Sequence, residues 1–359
     1  PKTYSLTISY NKVRDMEKTM LELKKRYEKL EEKKKILVML NEMIPWDIFR
    51  EILGVINIKP RKSNAGRKPM DVILMFKMLV LQNLYNLSDE EVEYQINDRL
   101  SFMKFLELGI EDQVPDATTL WLFREKIKEK GLERELFETF NDYINELGYE
   151  PKEGQILDAT LIPVPKQRNS KEENKKLKEG QVPEEWEKEE NKNKLAQKDV
   201  EARWTKKGGV SYYGYKNHVG IDKSYKFIRK YEVTDAAVHD SQVIGNVLDG
   251  ENEGDEVWAD AAYFAETITM ILTMMGFDVR IHERAFKNKP LTEEQKENNT
   301  EKSKVRARVE HVFGCWVMSM GGKLLRSIGI ERAKTNLGLK NLVYNLRRFI
   351  CLETMKITG

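Results

Sequence analysis

The chain has 359 residues, 33% of them charged, yet its net charge is only +2, so overall electrostatics does not announce a nucleic-acid partner. That length supports two or three packed units with a full core. Two cysteines, Cys315 and Cys351, exclude a disulfide framework or an all-cysteine zinc cluster and fit a reducing compartment, and no run approaches the roughly 20 apolar residues of a membrane span, so a cytoplasmic protein without a membrane partner is expected.

Residues 11–44 read as helix, with Val13, Met16, Met20, Leu23, Tyr27 and Leu30 at alternating steps of three and four. Leu37 and Ile44 continue the phase, and Lys34 breaks it. The spacing fits either a short coiled coil that dimerises the chain or a helix laid along its own domain. Residues 58–68 are basic and carry Pro60 and Gly66, which suits a solvated linker or an arm laid on phosphates through Arg61, Lys62, Arg67 and Lys68. Met70 to Leu84 is an apolar helix. Ser88-Asp89-Glu90-Glu91 has the form of a capping box for a helix to about Asp98, Ser101 to Leu106 makes a third, and Asp116 caps a fourth over Ala117–Lys130. Short helices on tight turns are compatible with helix-turn-helix DNA binding, and equally with helical modules that bind no DNA.

The periodicity changes near residue 151. Gln155 to Val164 reads as strand. Residues 166–207 are dominated by Lys, Glu, Asn and Gln and read as an insertion, partly disordered or helical only when bound to DNA or a partner subunit. Strands follow at Tyr215–Ile221 and Phe227–Val233, then a helix over His239–Leu248 and a buried strand over Glu256–Ala259. Phe264–Met275 is an apolar helix closed by Gly276, Phe277–Ile281 a strand, and Lys302–Met318 and Thr335–Leu352 are helices. Three antiparallel-type strands, then alternating helix and strand, predict a mixed sheet with helices on its faces, the ribonuclease-H-like arrangement. The expected divisions are a helical segment 1–57, a helical DNA-binding domain 58–150, an α/β catalytic domain 151–352 and a tail 353–359.

Three acids stand out. Asp158 interrupts the apolar run Ile156–Ile162, Asp260 ends Val257-Trp258-Ala259-Asp260, and Glu310 borders the helical stripe Val305, Val309, Val312, Trp316. A carboxylate inside an apolar strand is costly unless it is paired or binds metal. Taken singly, Asp158 also reads as a strand end, Asp260 as a helix cap and Glu310 as a surface glutamate. Together, hard oxygen donors on two strands and a helix suit Mg²⁺ or Mn²⁺ in two-metal phosphoryl transfer. His239-Asp240 is open to two readings, a fourth ligand or a capping pair, and His311 to an approach to phosphate or a surface role. Walker, dinucleotide-binding and nucleophile-elbow motifs are absent from the sequence.

The stretch from Arg67-Lys68-Pro69-Met70 through Thr118-Thr119-Leu120-Trp121-Leu122-Phe123-Arg124-Glu125 resembles the N-terminal domain of bacterial insertion-sequence transposases. Asp158-Ala159-Thr160, Tyr213-Gly214-Tyr215-Lys216-Asn217-His218, Val233-Thr234-Asp235-Ala236-Ala237-Val238-His239-Asp240-Ser241 and Ala259-Asp260-Ala261-Ala262-Tyr263 are similar to the catalytic domain of the same family. So are Arg306–Gly314 and Asn341–Arg348. The whole resembles the family named after insertion sequence five, relatives of the Harbinger elements. The resemblance implies a DDE triad of Asp158, Asp260 and Glu310 holding two Mg²⁺ ions, with Mn²⁺ able to substitute. It also implies double-stranded DNA as partner, a homodimer that holds both inverted-repeat ends, and a nucleoid location. Basic residues expected at DNA are Arg61, Lys62, Arg67, Lys68, Arg124, Lys216, His218, Lys304, Arg306, Arg308, Lys323, Arg326, Arg347 and Arg348. Arg306 and Glu310 also match the signature of the insertion-sequence-four group, whose tyrosine and lysine positions hold Ser303 and Val317 here.

Overall fold

Residues 21–33, 35–57, 69–252, 254–285 and 290–358 are described by the structure, a computed structural model. Val13, Met16 and Met20 of the expected seam, and the basic arm with Arg61, Lys62, Arg67 and Lys68, lie outside the described residues. The single helix expected over 11–44 is divided: residues 21–32 are helical, and a separate helix α1 runs Ile36–Met43. The break falls in the all-charged run Glu31–Lys35, which offers no apolar residue to continue the stripe. Helix α1 buries Leu37, Met39 and Leu40 in the chain's own core.

Helix α2 (Val72–Tyr85) starts where Asp71 accepts from the amides of Ile73 and Leu74, and stops at left-handed Asn86. Nearly all of its residues are buried, which explains its lack of a polar face. Even Lys77 is enclosed, its ammonium over the rings of Trp46 (5.3 Å) and Phe105 (5.6 Å) and paired with Glu107 at 2.5 Å. Helices α3 (Asp89–Asp98), α4 (Leu100–Phe105), α5 (Ala117–Lys130) and α6 (Leu132–Glu146) complete this layer. Asp116 caps α5 as expected, through the Thr119 amide at 2.6 Å. The box at α3 is only half formed: Ser88 accepts from Glu91, but the Glu91 carboxylate accepts from Gln95 instead of turning back.

The sheet holds β1 (Gln155–Pro163), β2 (Arg203–Lys207), β3 (Val210–Asp222), β4 (Ile228–Asp235), β5 (Glu256–Ala259) and β6 (Asp278–Ile281). β1 pairs antiparallel with β3 and parallel with β5, β5 pairs parallel with β6, and β3 also carries β2 and β4 as antiparallel neighbours. Alternation along β1 sends Ile156 into the large core shared with the helical layer and Leu157 into a second core on the other face, with Val247, Val257 and Tyr263. Helix α8 (Glu266–Met274) covers that second face, while α9 (Glu293–Met318) and α10 (Ile330–Thr358) lie on the first. Buried amides fasten α10 across the layers: Asn345 bonds the backbone of Ile228 on β4 and the side chain of Asn141 on α6.

Three expectations need correction. Residues 166–207, expected to be partly disordered or helical only when bound, hold regular structure in the chain alone: helix α7 (Lys171–Lys178) opens on a Ser170–Glu173 capping box, Leu177 and Trp186 are buried, and the segment ends in β2. Two apolar anchors and the Asp199 carboxylate, which accepts from the Tyr215 hydroxyl at 2.8 Å, hold an otherwise polar stretch in place. His239–Leu248 is not one helix but a 3-10 turn, Asp240–Gln242, and a single turn Ile244–Val247, because Asp240 is held by Lys216 of β3 at 2.9 Å. Helix α9 begins at Glu293, well before Lys302, on a Thr292–Gln295 capping box.

Gly220 is required by a close approach. A Cβ there would lie 2.0 Å from the Val247 carbonyl oxygen, a backbone atom that cannot swing aside. Gly220→Ala is expected to cost about 1–3 kcal/mol or more by forcing β3 and the Ile244–Val247 turn apart; urea unfolding at wild-type stability would show that this contact yields freely.

Candidate active site

Parallel register builds the site. Leu157 of β1 is paired with Ala259 of β5, and Ala259 with Ile281 of β6. The next residue on each strand is Asp158, Asp260 and His282, so three polar side chains leave one end of a hydrogen-bonded row together. In open parallel sheets this carboxyl end is where ligands bind.

Each aspartate has one oxygen tied locally and one turned inward. Asp158 Oδ1 accepts from the Ala159 amide at 2.8 Å, and Asp260 Oδ1 from the Ala262 amide at 2.7 Å. The remaining oxygens both face Arg306 of α9, whose Nη2 stands 3.3 Å from Asp158 Oδ2 and 3.9 Å from Asp260 Oδ2. Two carboxylates thus converge on one cation. Arg306 Nη1 also donates to His282 Nδ1 at 3.1 Å, and His282 Nε2 lies 3.0 Å from both the Asn299 carbonyl and the Ser303 hydroxyl. With Nδ1 accepting, Nε2 carries the proton. Burial and the adjacent guanidinium both lower the His282 pKa, keeping the ring neutral.

Burial pushes the Asp158 carboxyl up to about 6; Arg306 opposes the shift and the like charge of Asp260 adds to it. Tyr263 lies beneath, fully buried, its hydroxyl without a hydrogen-bond partner among the described residues. Burial and then the charge of Asp158 raise its pKa far above the usual phenol value. Lys323 lies nearby, donating to Thr160 Oγ1, two residues along β1 from Asp158, at 2.6 Å.

Glu310 is one helical turn beyond Arg306, exposed, and not gathered with the aspartates. Among the described residues, no group of three His, Cys, Asp or Glu side chains is disposed to hold a metal ion. The aspartate pair nonetheless fits a divalent cation in donor chemistry: hard oxygens, one of them on a desolvated carboxylate, sharing a single positive charge.

The basic residues expected at DNA divide sharply. His218 is fully buried, bonded to Thr234 at 2.9 Å, and cannot touch DNA; burial drives its pKa down to about 4. Arg124 is likewise spent inside the protein, forming a two-pronged pair with Asp89 at 2.6 and 2.8 Å. Lys216 is held by Asp240 and the Val238 carbonyl. Arg326 donates to the Asn86 carbonyl at 3.1 Å, and Lys304 pairs with Glu301 on the surface. Arg308 and Arg348 bond backbone carbonyls, of Lys223 and Tyr225. Arg347 and His311 line a common cleft. His239 caps its turn through Ser241, so the capping reading applies to it, whereas Asp240 serves Lys216.

Sequence reasoning missed His282, Ser303 and Tyr263 as members of the site. Ser303 precedes Arg306 by three residues and therefore shares its helix face, and His282 ends a strand parallel to that of Asp260; both were recoverable once the strand order was assumed. No helix among the described residues is long and apolar enough to cross a membrane.

Residues 25–126 match the family described as Transposase domain (DUF772), and residues 149–346 the family described as Transposase DDE domain. Among solved structures the chain is similar to a piggyBac transposase synaptic complex with hairpin DNA, with 12% identity and a TM-score of 0.42, covering 86% of this chain and 74% of that one. The second family match alone takes in more than half of the sequence, including both aspartate strands and the helix that brings Arg306 between them, and so the chain belongs to the transposase DDE-domain family.

Proposed function

We propose that the chain is a DNA transposase of the insertion-sequence-five kind, with a ribonuclease-H-like catalytic fold and Asp158, Asp260 and Glu310 as its acids. It would bind the terminal inverted repeats of its element as a homodimer, cleave the ends and join the 3′-hydroxyls to target DNA. The observation that carries this reading is the convergence of Asp158 Oδ2 and Asp260 Oδ2 on one Arg306 nitrogen, in a chain of this family.

Mg²⁺, or Mn²⁺ in its place, would be held by Asp158 and Asp260, with Glu310 having to move toward them to join the set, and would supply Lewis acidity toward the phosphoryl group and the attacking oxygen. The chain's own contribution is preorganisation. Local amides lock one oxygen of each aspartate, so the other is aimed without further loss of side-chain entropy. The His282–Ser303–Asn299 network orients Arg306, a fixed positive group beside the place where charge accumulates on a transferring phosphoryl group. In each step an oxygen of water, then of a DNA 3′-hydroxyl, bonds to phosphorus as the opposite P–O bond breaks, and the departing oxygen takes up a proton.

The test supplies Mg²⁺, a duplex bearing the inverted repeat and a target plasmid. Strand transfer is expected in the wild type and lost in Asp260→Ala and Glu310→Ala. Cleavage without joining would turn the assignment to a nuclease, and repeat binding with neither reaction to a silent DNA-binding descendant. Undiminished transfer in Glu310→Ala would remove that residue from the triad.

A further inference from the structure

We propose that the cleft between α1, α9 and α10 holds a phosphodiester group of the DNA strand beside the Glu310 segment of α9. Lys226, His311, Arg347 and Arg348 line it, above a floor that includes Met39 and Ile350, with a volume of about 490 Å³. That size admits a nucleotide-sized ligand. Among the described residues lining it, none is an aspartate or glutamate.

The absence of acids there contrasts with several other buried or half-buried cations, which are neutralised: Arg124 by Asp89, Arg229 by Asp222, Arg332 by Glu125, Lys216 by Asp240. Around the cleft the partners are neutral. Arg348 Nε donates to the Tyr225 carbonyl at 2.6 Å, and the neighbouring Arg308 to the Lys223 carbonyl at 2.5 Å. Both bonds orient a guanidinium without cancelling its charge. Both arginines also depress the Lys226 pKa, after burial, so each lies close enough to Lys226 to repel it. An anion with several acceptor oxygens relieves that repulsion, and arginine forks suit phosphate geometry.

Position selects DNA as the source of the phosphate. His311 follows Glu310 directly, so the cleft borders the segment of α9 that carries the proposed third acid. The apolar floor offers little for reading base edges, which makes the contact sequence-independent. This inference rests on the transposase reading above.

Two measurements on the full chain test it. Lys226→Glu should weaken binding of an inverted-repeat duplex roughly tenfold and lower the slope of log K against log salt by about one, as expected for one lost phosphate contact. Lys226→Gln should fall between it and wild type. Separately, Cys351 lines the cleft and is half-buried, so in a Cys315→Ser background maleimide labelling of Cys351 should slow several-fold when the duplex is bound. Wild-type DNA binding with no change in salt slope and no protection of Cys351 overturns the cleft assignment alone. Protection by inorganic phosphate but not by DNA overturns it too, reassigning the cleft to a free anion. A wild-type chain that binds no DNA overturns both this inference and the function on which it rests.

Discussion

Asp158→Asn is expected to abolish strand transfer and, with chelator present, to make the protein more stable at pH 8. The folded pKa of about 6 stands above the 3.8 of an ordinary aspartate, so the folded state resists ionisation of this side chain. The sign follows from linkage: below pH 4 both states are protonated and there is no penalty, between pH 4 and 6 the unfolded state ionises first, and above pH 6 the full cost is present. The difference between about 6 and 3.8 corresponds to about 3 kcal/mol, an upper bound because the side chain keeps 16% of its exposure. Asparagine retains the oxygen that accepts from Ala159 and removes the charge, so a gain of roughly 1–3 kcal/mol at pH 8, fading by pH 4, is expected. Thermal or urea unfolding at the two pH values checks it. A variant less stable than wild type at pH 8 would mean that the Arg306 pair outweighs desolvation.

Arg306→Gln should have the opposite effect on stability. It leaves Asp158 and Asp260 facing each other with no cation between them, and removing one partner of a buried ion pair costs about 3–5 kcal/mol. Exposures of 16–29% at these side chains reduce that to roughly 1–3 kcal/mol. The loss should be smaller at pH 5, where Asp158 can take up a proton, than at pH 8. Added Mg²⁺ should recover stability at pH 8 more in the variant than in wild type, by restoring positive charge between the carboxylates. Equal destabilisation at both pH values, unaffected by Mg²⁺, would reduce Arg306 to a packing element.

The two substitutions also separate what the sequence carries from what it hides. Asp158 is legible because a lone acid in Ile156–Ile162 violates the apolar pattern, and such violations gather at functional sites. The strands flanking Asp260, and the cap at Asp116, are legible because strand alternation and capping are interactions between residues a few positions apart. The charged stretch 166–207 misleads for the converse reason. Its composition suggests disorder, but Leu177 and Trp186 suffice to anchor it once a receiving surface exists, and that surface belongs to distant parts of the chain.

By itself, then, the sequence determined most of the element types, the α/β pattern and the transposase-like motif order, because each depends on short-range periodicity or residue chemistry. The tertiary structure alone decided that Asp158, Asp260 and His282 stand in one row, that Arg306 lies between the aspartates, and that Arg124 and His218 are turned inward. Those facts depend on strand register and on how the helices pack, which pair residues distant in the chain, and a side chain's neighbours at such range leave no trace in its local sequence.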